Sequence, residues 1–224
     1  MRTILCFGDS NLRGFIPGSF DETIGLSRRF SKNKRWTGLL QEKLGNQYHI
    51  IEEGMNGRTT NLDELTPGRP FRNGLTYLPF CLESHYPIDL VILQLGTNDV
   101  KNQYNRSPRD IAEGLRDLIK MIKTSKKGPA FSAPKIFIIA PQPLKEIPGL
   151  EPEYSGEAIF KSEALADLYR QLAHEENCEF LDAGQLFSSS EIDGVHLDEN
   201  ASQLLAEAVA SKIKLRSSDH VYLS

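Results

Sequence analysis

The feature that most constrains this chain is an alternation. Short apolar runs at residues 2–7, 47–53, 88–95, 135–140 and 178–182 are separated by longer stretches with helical spacing. A strand that is apolar on both sides leaves no face for water, so runs of this kind belong to a parallel sheet covered by helices on both faces. The expected class is therefore α/β, three layers with a central parallel sheet of about five strands. With 224 residues, 39% of them hydrophobic and 25% charged, the chain is long enough to bury a core, and a single domain over 1–224 is expected.

The intervening stretches carry helix signals. Thr37 reads as the cap of a helix running through Lys43 and stopping at Gly45. Ser107-Pro108 opens a helix whose Ile111, Leu115, Leu118, Ile119 and Ile122 form one stripe, and Leu165, Leu168 and Leu172 mark another. A last helix is expected from about Asn200, with Gln203 placed for a capping box and Leu204, Leu205, Ala208 and Val209 buried. Two stretches break the alternation: 14–35, and 60–87 with Pro67, Gly68, Pro70, Gly74, Pro79 and Pro87. They read as long ordered loops or insertions, serving as binding elements or lids, or equally as a structural arm or subunit contact.

Composition narrows the function classes. A formal charge of -4 gives no general attraction to nucleic acid or to an anionic membrane, and a small or neutral substrate suits it better. Cys6, Cys81 and Cys178 are odd in number and lack CxxC spacing, so they read as reduced core thiols. His49, His85, His174 and His220 are scattered without ligand spacing, and no metal site is expected. The strand-like run Thr3–Phe7 comes almost at once and no segment approaches membrane-spanning length, so a cytoplasmic protein is expected.

In an open parallel sheet, ligands collect at the carboxyl ends of the strands. Four polar blocks follow the predicted strands: Gly8-Asp9-Ser10-Asn11, Gly54-Met55-Asn56-Gly57-Arg58, Gly96-Thr97-Asn98-Asp99 and Asp193-Gly194-Val195-His196. All fall on one rim. Gly-Asp-Ser alone is an ordinary turn. At a strand-to-helix junction, however, the Ser10 hydroxyl projects into the crevice and its own N–H faces a developing oxyanion. His196, three residues after Asp193, suits a general base oriented by a carboxylate, although Asp-Gly is also a common solvated turn. Gly57 offers a backbone N–H and Asn98 a side-chain amide for an oxyanion hole, while each also reads as a plain turn glycine or an Asx cap. Asp9 is read as holding the nucleophile's turn, and Asp99 as bracing its loop.

Together, Gly8-Asp9-Ser10, Gly57, Gly96-x-Asn98-Asp99 and Asp193-x-x-His196 resemble the four blocks of the SGNH (GDSL-like) hydrolases, in order and over nearly the whole chain. The resemblance implies a flavodoxin-like three-layer sandwich and ester hydrolysis without metal or cofactor. It also implies Ser10 as nucleophile, Ser10, Gly57 and Asn98 as oxyanion donors, and Asp193 with His196 as the acid–base pair. Arg35-Trp36-Thr37-Gly38, Glu52-Glu53-Gly54, Arg58-Thr59-Thr60-Asn61 and Leu95–Asp99 further resemble the bacterial arylesterase and acyltransferase branch, whose members act on short acyl esters and often form homo-oligomers. Asn11 replaces the leucine of the usual block, which alters packing beside the nucleophile. Arg13 and Phe15 stand where that branch often carries tryptophan. Asn11, Arg13 and Val195 are the candidate substrate-binding residues, Arg13 favouring an anionic or polar alcohol portion or else standing as a solvated surface arginine.

The leading expectation is a serine esterase for short-acyl esters of aryl or carbohydrate acetate type, working through an acyl-enzyme and possessing an acyl-transfer side activity. The competing one is a non-catalytic module holding a phosphate or flavin at the first turn. It lacks GxGxxG and GxxxxGK[ST] and has no use for an Asp-x-x-His pair on a remote loop. An α/β-hydrolase would need a GxSxG elbow, which is absent.

Overall fold

The computed structural model describes residues 1–63, 70–148 and 150–219. Five parallel strands form the central sheet: β1 (Arg2–Gly8), β4 (Tyr48–Gly54), β5 (Leu90–Gln94), β6 (Lys135–Ala140) and β7 (Glu179–Asp182), in spatial order β4-β1-β5-β6-β7. The order reverses between β1 and β5, which opens a crevice beyond their carboxyl ends. Register keeps those ends level, with Gly8 opposite both Gly54 and Gln94.

Strand alternation decides which layer each residue enters. Leu5 and Phe7 of β1 point to the layer formed by α3 (Gly74–His85), α4 (Pro108–Thr124) and α5 (Glu157–Glu175). Ile4 and Cys6 point to the opposite layer, formed by α2 (Trp36–Leu44) and α6 (Glu199–Asp219). Both sets are fully buried, which is why β1 reads as an unbroken apolar run. The three-layer α/β/α expectation matches.

Helix α4 has the start expected of it: Ser107 and Asp110 cap each other reciprocally, with Pro108 in the first turn. Two other caps differ. Helix α2 begins at Trp36 without a side-chain cap, because the Thr37 hydroxyl donates to Glu52 instead. Helix α6 is capped by Asp198, whose Oδ1 accepts the Ala201 N–H at 2.8 Å, so Gln203 plays no capping part. Its buried stripe is accordingly Ala201, Leu205, Val209 and Ile213, while Leu204 is 38% exposed. Cys6 and Cys81 are buried free thiols, but Cys178 lies just before β7 and is only half-buried.

The two irregular stretches resolve differently. Residues 14–35 hold an antiparallel hairpin, β2 (Phe15–Asp21) with β3 (Leu26–Arg29), and not a plain loop. Within 60–87, α3 buries Leu78, Cys81 and Leu82 against the sheet, while 64–69, including Pro67 and Gly68, lie outside the described residues. The proline and glycine content masked both elements, since neither shows a clean period. No described helix is long and apolar enough to cross a membrane.

Candidate active site

The turn after β1 carries Ser10 into the crevice. Asp9 caps the four-residue α1 (Ser10–Arg13) by accepting the Asn11 N–H at 2.9 Å, so Ser10 takes the first helical position. From the loop between β7 and α6, His196 Nε2 approaches Ser10 Oγ at 3.0 Å. Its Nδ1 lies 2.8 Å from Asp193 Oδ2, while Asp193 Oδ1 accepts the backbone N–H groups of Val195 and His196 at 3.1 and 3.0 Å. Burial acts to raise the Asp193 carboxyl, but the hydrogen bond and charge of His196, with the two N–H groups, hold it below its ordinary value. An ionised carboxylate only accepts, so Nδ1 donates to it and Nε2 is left to accept the Ser10 hydroxyl.

The hairpin completes this side. The Phe15 ring stacks on His196 with centroids 3.8 Å apart and 8° between planes, and Gly18 N–H points at Asp193 Oδ2 from 3.4 Å. The imidazole is thus fixed by a carboxylate in its plane and a ring against its face.

Opposite stands the turn after β4. Gly57 has φ 76°, a left-handed conformation that a side chain would strain. Gly8 O anchors this turn beside the nucleophile by accepting Met55 N–H at 3.1 Å and Arg58 Nη1 at 2.9 Å. Arg58 is 1% exposed, its guanidinium held between the rings of Phe7 and Tyr77. Asn98 Nδ2 donates to Arg58 O at 3.0 Å and its Oδ1 accepts the Tyr154 hydroxyl at 2.9 Å. One amide N–H of Asn98 remains for a ligand.

Two further aspartates play supporting parts. Asp99 is fully buried, accepts Thr60 N–H and hydroxyl at 3.0 and 2.5 Å, and pairs with Arg106 at 3.1 Å, joining the loops after β4 and β5. Asp9 is 1% exposed and its Oδ2 has no hydrogen-bond partner among the described residues. Burial, joined by the charge of Asp99, outweighs the Asn11 N–H and the His196 charge and pushes its pKa up to about 6.

Residues 6–204 match the sequence pattern of the GDSL-like Lipase/Acylhydrolase family. The chain belongs to that family. Among solved structures, the aryl esterase of M. smegmatis is 39% identical, with a TM-score of 0.86 over 96% of this chain and 99% of that one. Est24, a carbohydrate acetylesterase from Sinorhizobium meliloti, is 40% identical, with a TM-score of 0.87 over the same shares. An acetylxylan esterase of Xylanibacter ruminicola is 23% identical over 223 residues, 94% of this chain but 43% of that protein, so the chain spans less than half of that relative's length.

For this GDSL-like protein, the expected nucleophile, base and carboxylate meet in hydrogen-bonding distance, and Asn98 meets the Gly57 turn through the Arg58 carbonyl. Two candidate substrate contacts face inward instead. Asn11 is 4% exposed, its Oδ1 accepting Leu197 N–H at 3.0 Å, which ties the nucleophile's helix to the His196 loop. Val195 is 3% exposed within the core, its carbonyl receiving Gln142 Nε2 at 2.9 Å. The loop folds inward here because its carbonyl finds a buried donor there. Arg13 is half-exposed on the rim. The sequence reading missed Tyr154, Gln142 and the structural use of Arg58. Tyr154 and Gln142 come from 141–156, a stretch without period, and only the folded chain sets them against Asn98 and Val195.

A phosphate at the first turn would compete with the Asp9 carboxyl, which already occupies the Asn11 N–H. Among the described residues no group of three His, Cys, Asp or Glu side chains is placed to hold a metal.

Proposed function

We propose that this protein is a serine esterase that hydrolyses short-acyl carboxylic esters, of aryl or carbohydrate acetate type, with residues 1–224 acting as one hydrolase unit. The observation that carries the reading is the relay Asp193 Oδ2, His196, Ser10 Oγ at 2.8 and 3.0 Å. Ser10 Oγ attacks the ester carbonyl carbon while its proton passes to His196 Nε2. The tetrahedral oxyanion takes hydrogen bonds from the N–H groups of Ser10 and Gly57 and from the free amide N–H of Asn98. Collapse breaks the bond to the alcohol, which leaves with the proton from His196, and Ser10 keeps the acyl group. Water, losing its proton to His196, then attacks the acyl-Ser10; the bond to Ser10 Oγ breaks, His196 returns the proton to it, and the acid departs.

The names of the aryl esterase and the carbohydrate acetylesterases among its relatives support this substrate class. The reading includes acyl transfer where an alcohol replaces water in the second step, to be checked by product analysis in alcohol–water mixtures. It also includes a cytoplasmic homo-oligomer in which exposed apolar side chains such as Phe71, Phe131 and Phe160 are covered; a monomer by light scattering would exclude that part.

The test is turnover of 4-nitrophenyl acetate by purified protein. Ser10→Ala and His196→Ala should each lower kcat by at least about 10³-fold at unchanged melting temperature. Turnover that survives either substitution would remove the relay from the mechanism.

A further inference from the structure

Arg13, Arg29 and Arg35 gather beside the oxyanion turn, and one carboxylate serves only two of them. Glu52 pairs with Arg35 at 2.5 Å and with Arg29 at 3.2 Å. Arg29 Nε also donates to Arg13 O at 2.6 Å. Arg13 pairs with no carboxylate among the described residues, and its guanidinium makes only a long contact, Nη1 to Ser27 Oγ at 3.4 Å. Burial first, and then the charges of Arg29 and Arg35, push its pKa below the usual arginine value. The cluster therefore holds a partly desolvated cation without a counter-ion, in a chain whose overall charge is -4.

Its position is next to the chemistry. Arg13 is three residues beyond Ser10 on α1, and residues at that spacing share a helix face, with side chains leaning toward the helix N-terminus. Ser27 Oγ, which Arg13 contacts, also accepts Asn56 Nδ2 at 2.9 Å. Asn56 immediately precedes the oxyanion donor Gly57, and its own Oδ1 is buried without a partner among the described residues. The guanidinium thus stands two contacts from the turn that would hold the oxyanion.

We propose that Arg13 forms a subsite for an anionic group of the ester, a carboxylate carried either on the alcohol portion or on the acyl portion. The proposal rests on the esterase reading and adds a substrate class to it. A carboxylate placed there gains a charge-assisted hydrogen bond and relieves the repulsion among the three cations. Arginine suits the task because its planar fork matches both carboxylate oxygens, which a lysine would engage only as a point charge.

The experiment uses two matched pairs of esters: 4-acetoxybenzoate against its methyl ester, and mono-4-nitrophenyl succinate against its methyl ester. The quantity read is the ratio of kcat/KM for the anionic member over the neutral one. The wild type should favour the anionic member of one pair, the benzoate pair placing the subsite on the alcohol side and the succinate pair on the acyl side. Arg13→Gln should cut that ratio by about tenfold, in line with one hydrogen bond to a charged group. Arg13→Glu should cut it further, Arg13→Lys should retain part of it, and added salt should narrow it. A wild-type ratio of one in both pairs overturns the subsite, as does a preference that Arg13→Gln leaves intact. In either case, turnover of the neutral esters that Ser10→Ala abolishes leaves the esterase reading standing. Absence of turnover on all four esters takes both readings down. Melting temperatures of the three variants separate lost recognition from lost folding.

Discussion

Asp9 and Asp193 lie on opposite sides of the same serine, and their surroundings send them in opposite directions. Asp9 sits at the end of the sheet, 1% exposed, with one oxygen on a backbone N–H and the other unpartnered among the described residues, and burial pushes its pKa up to about 6. Asp193 sits on a loop with its side chain 20% exposed; burial acts to raise it, but the His196 ring and two backbone N–H groups hold it below the ordinary carboxylate value, and Gly18 donates to it at longer range. One residue type, within one site, is thus either a costly structural cap or a ready anion. Hydrogen-bond supply decides between them, and the hairpin β2–β3 adds to that supply on the Asp193 side alone.

The largest expected effect tests the anion. Asp193→Asn keeps the shape but removes the charge that fixes the imidazole tautomer, and kcat on 4-nitrophenyl acetate should fall about 10³- to 10⁴-fold. A comparable loss in Asp9→Asn would mean that the two aspartates do not differ in role.

The second effect is on stability. A carboxyl raised above its unfolded value binds its proton more tightly in the folded state, so its cost appears as pH climbs from the ordinary 3.8 to about 6 and is complete above that. Two pH units correspond to at most about 3 kcal/mol. Asp193, being depressed, acts the other way: its contribution is present above its unfolded value and is lost as pH falls through the lower folded one. Asparagine at position 9 still accepts the Asn11 N–H, so urea denaturation of Asp9→Asn should show a flatter stability profile from pH 4 to 7, while parallel profiles would mean that Asp9 carries no such penalty.

A smaller effect sharpens the far wall. The Tyr154 hydroxyl donates to Asn98 Oδ1 and, with its pKa raised well above the usual value by burial, remains a donor throughout the working range. Tyr154→Phe should lower kcat about tenfold at nearly constant KM, because an amide polarised by an accepted hydrogen bond is a better oxyanion donor. An equal rise in KM would assign Tyr154 to ground-state binding instead.

The smallest effect concerns the hairpin itself. Phe15→Leu keeps much of the volume and loses the flat ring; since an aromatic pair is worth about 0.5–1.5 kcal/mol beyond its buried area, kcat should fall about threefold with little change in melting temperature. Unchanged kcat would reduce the hairpin to a cover.

How much of this was legible depends on range. The five strands and α4 could be read because their signals are local: apolar runs for the sheet, Ser107-Pro108 and Asp110 for the helix start. Capping at α2 was misread because only the fold brings Glu52 to the Thr37 hydroxyl, whereas the cap of α6 is local, Asp198 standing three residues before Ala201, and was passed over for Asn200 and Gln203. The hairpin and α3 were hidden by proline and glycine in segments that gain their order from packing on residues far away in sequence.

By itself, the sequence determined a parallel three-layer fold, because continuous apolar strands admit no other cover, and it determined which residue types stand at the strand ends. Tertiary structure alone decided what those residues became. It set Phe15 on His196, Tyr154 on Asn98, and Arg29 and Arg35, rather than Arg13, on Glu52. It also made Asp9 and Asp193 unlike, because burial and hydrogen-bond supply are properties of a position in the fold and not of a residue in the chain.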